Sequence, residues 1–271
     1  VTYNSTGFGI GSGAENNENS TTNVGYFWKG NGGTTSTLSG NISSVAQVNT
    51  TAGFSIVTWS GNDATGQSVN HGLGATPEFI AIKRTNGTAD WFVYHQTLGN
   101  TKHLHLNLTN AESTTSDFGN YGPTSTAFFT NNTATCISGE DYIAFVFAPK
   151  QGYSKFGGYL GNGSGTSDGT FDGPFVYTGF KPAWLLVKRA SASAGDGFLI
   201  FDNKRPRSGT TGNYINNKLY VDSTGAESGN VYDAVDFLSN GFKLRTGRTG
   251  ANADGSTYVY AAFAENPFVT S

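Results

Sequence analysis

Two kinds of apolar pattern run along the chain. In Phe54-Ser55-Ile56-Val57-Thr58-Trp59 and Lys102-His103-Leu104-His105-Leu106-Asn107-Leu108 apolar and polar residues alternate, which sets Leu104, Leu106 and Leu108 on one side of an extended segment. Alternation with period two marks a strand that turns one face to a core. By contrast, Tyr142-Ile143-Ala144-Phe145-Val146-Phe147-Ala148 and Tyr258-Val259-Tyr260-Ala261-Ala262-Phe263-Ala264 are apolar at almost every position. Runs of that kind predict central strands covered on both faces. Turn formers such as Ser60-Gly61-Asn62-Asp63, Thr85-Asn86-Gly87-Thr88 and Leu238-Ser239-Asn240-Gly241 punctuate the runs, and no segment keeps a helical period. The expected fold is all-β, built from antiparallel β-sandwiches, with at most a short helical turn near Ala111-Glu112-Ser113.

The pattern also repeats. Thr76-Pro77-Glu78-Phe79-Ile80-Ala81-Ile82-Lys83-Arg84 aligns with Lys181-Pro182-Ala183-Trp184-Leu185-Leu186-Val187-Lys188-Arg189, Asp90-Trp91-Phe92-Val93-Tyr94 with Asp196-Gly197-Phe198-Leu199-Ile200, and the two closing runs with each other. Trp59-Ser60-Gly61-Asn62 corresponds to Tyr159-Leu160-Gly161-Asn162. Self-similarity of this length predicts a tandem duplication of one unit. The expected organisation is an arm or linker over residues 1–24, a first β-sandwich repeat over 25–152 and a second over 153–271, with Ile80, Ile82, Leu185 and Val187 in equivalent core positions.

Composition narrows the function classes. Only 13% of the 271 residues are charged and the net charge is −3, so no basic field exists to hold a nucleic-acid backbone. Despite 38 Gly, the 14% aromatic and 36% hydrophobic content is too high for a chain unable to pack. No apolar run approaches the roughly 18 residues of a membrane span, so no membrane insertion is expected. Cys136 is the one cysteine, which excludes an intramolecular disulfide framework and a zinc site built on several thiolates. The sequence holds no Met, so Val1 is expected to be the end of a processed chain or of an excerpt.

Candidate chemistry is sparse. The chain has no Gly-X-Ser-X-Gly, no phosphate-binding loop and no His-Glu-X-X-His, so no catalytic residue is assigned and no enzymatic activity is expected. Residues shared by both repeats read as architecture. On that ground Lys83-Arg84 and Lys188-Arg189 are expected to pin an edge or bridge to a carboxylate, and Trp184, aligned with Phe79, to be a core or inter-sheet aromatic. All four histidines, His71, His95, His103 and His105, lie in the first repeat. His103 and His105, two residues apart on a strand, share a face and are able to share a metal. The sequence supplies no strong third ligand, so no metal or cofactor is expected and both rings are expected to point to solvent. Trp91 and His95, four apart, also share a face, where an aromatic beside a polar ring is able to stack on a sugar. Trp91, His95, His103 and His105 are thus the candidate ligand-binding residues.

Taken together, Thr51-Ala52-Gly53-Phe54-Ser55-Ile56-Val57-Thr58, His71-Gly72-Leu73-Gly74 leading to Pro77, Phe175-Val176-Tyr177-Thr178-Gly179-Phe180-Lys181-Pro182-Ala183-Trp184 and Asp236-Phe237-Leu238-Ser239-Asn240-Gly241-Phe242-Lys243 carry a resemblance. Over about residues 25 to 268 the chain resembles an uncharacterised tandem β-repeat domain family of marine tailed-bacteriophage virion proteins. The resemblance implies a structural or receptor-binding surface module, tail-fibre-like, located on a virion surface or outside a cell. A capsid decoration protein, head fibre or extracellular filament subunit is the alternative, and a carbohydrate-active enzyme module a more distant one. Its implied partners are copies of itself, a trimer in a fibre tip, other virion proteins and a host-surface glycan; it transfers no site residues. The leader, poor in large apolar residues, is expected to lie extended along a sheet edge of a neighbouring copy.

Overall fold

In the computed structural model the described residues are 2–4, 7–11, 19–20, 22–165, 171–191, 197–205, 214–229 and 234–268. They are nearly all β, and the strand ladders are antiparallel. In the leader, β1 (Thr2–Asn4) and β2 (Gly7–Gly9) pair with each other. The expected extended arm is therefore, over these residues, a small hairpin, and Phe8 packs on Phe27 with ring centroids 4.6 Å apart.

The first half of the chain contributes β3 (Ser36–Ser39), β4 (Ser43–Asn49), β5 (Phe54–Ser60), β6 (Gln67–Asn70), β7 (Phe79–Arg84), β8 (Phe92–His95), β9 (Lys102–His105), β10 (Ser113–Thr114), β11 (Ala127–Thr130) and β12 (Asp141–Phe147). The second contributes β13 (Ser154–Leu160), β14 (Phe175–Tyr177), β15 (Pro182–Arg189), β16 (Leu199–Asp202), β17 (Asn217–Tyr220), β18 (Ser228–Gly229), β19 (Val235–Leu238), β20 (Gly241–Leu244) and β21 (Thr257–Ala264). The helical turn expected near residue 112 is strand β10, which pairs with β9, and among the described residues a one-turn helix lies at Thr249–Asn252 instead. Asp196 of the aligned segments lies outside the described residues.

Two large sheets dominate. The first runs β10-β9-β8-β7-β12-β5-β4-β3 and is backed by the β11-β6 pair. The second, read from its far edge, runs β18-β17-β16-β15-β21-β13 and is backed by β14-β20-β19. Both fully apolar closing strands are central, β12 between β5 and β7 and β21 between β13 and β15.

Alternation along these strands sorts side chains between cores. On β12, Tyr142, Ala144 and Val146 join Ile80, Ile82, Val57, Trp59 and Phe128 in a core beneath the small β11-β6 sheet. On β21, Tyr258, Tyr260 and Ala262 join Leu185, Val187, Phe201 and Phe242 in a second core beneath β14-β20-β19. Ile80, Ile82, Leu185 and Val187 are all fully buried.

The opposite faces of the two large sheets pack on each other. Phe54, Phe79, Val93, Leu104 and Phe147 of the first sheet meet Phe156, Leu186, Phe198, Val259 and Phe263 of the second in a third core. The order of layers is small sheet, large sheet, large sheet, small sheet, so the two halves sit back to back rather than as separate beads. Burying each large side chain in this seam contributes about 1.5–3 kcal/mol, an upper figure because denatured chains already hide some apolar surface. Tyr26 and Trp28, before the first large strand, close one end. Trp28 packs edge-on against Phe147 of the first half and Trp184 and Phe263 of the second, and Tyr26 donates a 2.7 Å hydrogen bond to Asp202 Oδ2.

Local detail recurs at the ends of β5 and β13. Trp59 stacks on Tyr142 with centroids 5.3 Å apart, and Tyr159 on Tyr258 at 5.0 Å. The Ile137 amide donates to the Tyr142 hydroxyl at 3.1 Å, and the Ala253 amide to the Tyr258 hydroxyl at 2.8 Å. Gly61 and Gly161 fit only because they lack a side chain: a Cβ would stand 2.1 Å from the Ile137 carbonyl oxygen in one and the Ala253 carbonyl oxygen in the other.

Candidate functional site

The candidate residues named from the sequence divide between two places. Strand β8 alternates, sending Phe92 and Tyr94 toward the first core and Val93 and His95 toward the seam. His95 is 1% exposed, so it offers no ring edge to an outside ligand. Its Nε2 donates to the Tyr260 carbonyl oxygen at 3.1 Å and its Nδ1 accepts from the Thr97 amide at 3.2 Å. Both ring nitrogens are used by the neutral tautomer. Burial lowers its pKa to about 4, and the bond to Tyr260 opposes the shift. Trp91 packs against the same seam, its ring stacked over Phe145 at 5.9 Å, and its amide is capped by Asn107 Oδ1 at 2.9 Å. The ring is half-buried, and although it faces the same seam as His95 it packs on a different neighbour. His71 repeats the pattern of His95, with Nε2 against the Thr124 carbonyl oxygen at 3.2 Å and Nδ1 accepting from the Leu73 amide at 3.2 Å.

His103 and His105 do come together. They lie on the β9 face opposite Leu104, as alternation requires, but that face is largely covered. His103 is 6% exposed and His105 half-buried, which corrects the expectation that both point to solvent. Both rings pack on Phe92, with centroids 5.2 and 5.1 Å away. Their Nε2 atoms are 3.0 Å apart, and the rings meet at 73°.

Behind His103 stands Asp117, a residue the sequence pattern did not single out. Its Oδ2 is 3.1 Å from His103 Nδ1, although the N–H does not lie along that line and makes no aligned hydrogen bond. Thr133 donates to Asp117 Oδ1 at 2.6 Å, Thr115 donates to Oδ2, and Thr135 donates to the Asp117 carbonyl at 2.6 Å. Burial pushes the Asp117 carboxyl up, but His103 and the Thr115 and Thr133 hydroxyls outweigh it and hold the group below its ordinary value. Burial first, and then the neighbouring His103, lower His105 below its ordinary value. The result is a carboxylate, an imidazole and a second imidazole in line, poised to share protons or present nitrogen lone pairs. Only a Thr-X-Asp turn, Thr115-Ser116-Asp117, marks Asp117 in the sequence.

The paired basic residues are structural. Arg84 bridges Glu140 at 3.3 Å, as expected of a carboxylate partner, and Lys83 donates to the Ala89 carbonyl. Lys188 instead is fully buried and reaches across the seam to the Thr109 carbonyl at 2.9 Å, while Arg189 donates to Ser256 Oγ at 3.0 Å. Strands β7 and β15 are internal, so neither pair protects an edge. Trp184 is the expected inter-sheet aromatic, in contact with Tyr26, Trp28 and Phe263.

A cleft of about 510 Å³ opens where the halves join, lined by Glu78 and Gln96 from the first and by Lys155, Phe156, Tyr177 and Thr178 from the second. Tyr177 is 59% exposed at its rim, and Lys155 Nζ sits 5.2 Å above the ring while donating to the Tyr177 carbonyl at 3.0 Å. Burial raises the Glu78 carboxyl and Lys155 opposes that rise.

Residues 1–267 match a family described as Domain of unknown function (DUF7483), and the chain belongs to that family. No curated protein and no solved structure matched the chain.

Proposed function

We propose that this DUF7483 chain is a non-catalytic structural module of a virion or other extracellular surface, made of two copies of one β unit joined back to back. The observation that carries the reading is the seam. Two large sheets, each with a core on its other face, are held together by aromatic rings and by polar contacts from His95 and Lys188. A module with apolar cores on both faces of both large sheets resists hinge motion, which suits a load-bearing or spacing element and works against the opening and closing many enzymes use. The matching strand order of the two large sheets supports the duplication. The resemblance to bacteriophage virion repeats supports the virion surface, with a tail fibre ahead of a capsid decoration protein.

One observation favours an adhesive role within that reading. The junction cleft, not Trp91 and His95, offers an exposed aromatic ring beside a carboxylate, an amide and an ammonium, the mixture that holds a saccharide by stacking and hydrogen bonds. Localisation by labelled antibody on intact particles, together with a glycan array on the purified chain, tests both parts. The reading expects label on the particle surface and a mass in solution that is a multiple of the chain mass, threefold in a fibre tip. Label confined to cell interiors would overturn it, and array signal that survives Tyr177→Ala would remove the cleft.

A further inference from the structure

We propose that His103 and His105 form a chelating pair for a divalent ion of borderline softness, Zn(II), Ni(II) or Cu(II), with Asp117 as the positioning residue behind His103. The two imidazoles are fixed on one face of β9 by the strand itself, two residues apart, and wedged by Phe92. Nitrogens bound at about 2.0–2.1 Å to one ion stand roughly 2.9–3.4 Å apart at angles between square and tetrahedral. The Nε2 atoms of His103 and His105 already stand 3.0 Å apart, joined by a hydrogen bond whose proton the ion displaces to solvent. Binding therefore needs little movement of the strand.

Asp117 makes the pair more than two neighbouring rings. A carboxylate 3.1 Å from His103 Nδ1, although not aligned for a hydrogen bond here, draws the proton to that nitrogen by its charge and so leaves the lone pair on Nε2. Here the carboxylate is itself held by the Thr115 and Thr133 hydroxyls. Among the described residues no group of three or more His, Cys, Asp and Glu is placed to hold an ion, this pair with Asp117 included. The remaining coordination positions thus fall to water or to a donor on a bound molecule, which makes this an open site of moderate affinity. The sequence argued against a metal because it offered no third ligand. The structure changes the balance through preorganisation of two ligands and not through a third.

The test uses the full chain and the metal alone. Cu(II), Ni(II) or Zn(II) chloride is titrated calorimetrically into the protein, and Cu(II) loading is followed by electron paramagnetic resonance. The expected result is one ion per chain, a nitrogen hyperfine pattern from two imidazoles, and at least a tenfold weaker affinity in His105→Asn. Asp117→Asn is expected to weaken binding by about 10- to 100-fold while keeping the two-nitrogen spectrum, as an orienting group acting through His103 would. His71→Gln, remote from the pair, is expected to bind as the unaltered protein does. Should His105→Asn fail to fold, the spectrum of the unaltered chain decides alone. No binding, a spectrum without two imidazole nitrogens, or equal affinity in a folded His105→Asn chain overturns the proposal.

Discussion

His95 on β8 donates its Nε2 proton to the carbonyl oxygen of Tyr260 on β21, 3.1 Å away, and so ties the first half of the chain to the second across a buried seam. The Thr97 amide occupies the other ring nitrogen, so the folded protein holds this histidine neutral.

That relationship makes stability depend on pH in a fixed direction. Its pKa is lowered from 6.5 to about 4. Above pH 6.5 neither the folded nor the unfolded state carries the proton, and the full stability is present. As pH falls from 6.5 toward 4 the unfolded chain takes up a proton that the folded one refuses, and about 3 kcal/mol is lost. His71 and His105 are lowered as well and act in the same sense. Denaturant titrations at pH 7.5 and 4.5 check this, and His95→Gln is expected to show a smaller difference between the two.

The aromatic seam is expected to respond as one unit. Phe263 touches Trp28, Phe147, Tyr153, Phe156 and Trp184. Phe263→Ala is expected to cost about 3–5 kcal/mol, measured by chemical denaturation.

Gly61 and Gly161 allow a matched comparison. In each, an added Cβ would stand 2.1 Å from a carbonyl oxygen. Gly61→Ala and Gly161→Ala are each expected to destabilise by about 1–3 kcal/mol, and by similar amounts if the halves are copies of one unit. Thermal melts of the two variants side by side read the difference.

Much of the fold is legible in the sequence because strands write their burial in period two. The apolar closing runs predict central, doubly covered strands, and β12 and β21 are central. What covers them is not written there: an apolar second face looks the same against a loop, a partner or the chain's own other half. The same ambiguity misplaces the histidines. Leu104 turned inward leaves His103 and His105 pointing out only if that face is wet, and at β9 it is packed by Phe92 and by the loop that carries Asp117. Asp117 escapes notice because it arrives from a loop twelve residues beyond His105, at no strand spacing. Trp91 and His95 do face the same seam, as their spacing implies, but they meet different neighbours there. Trp91 precedes β8 and stacks on Phe145, while His95 ends that strand beneath Tyr260.

The most direct test of the central claim, that the seam welds both halves into one body, is differential scanning calorimetry of the full chain. The account predicts a single transition whose calorimetric and van't Hoff enthalpies agree. It also predicts that Phe263→Ala moves that whole transition to lower temperature. Two separable transitions, with Phe263→Ala shifting only one of them, would contradict it.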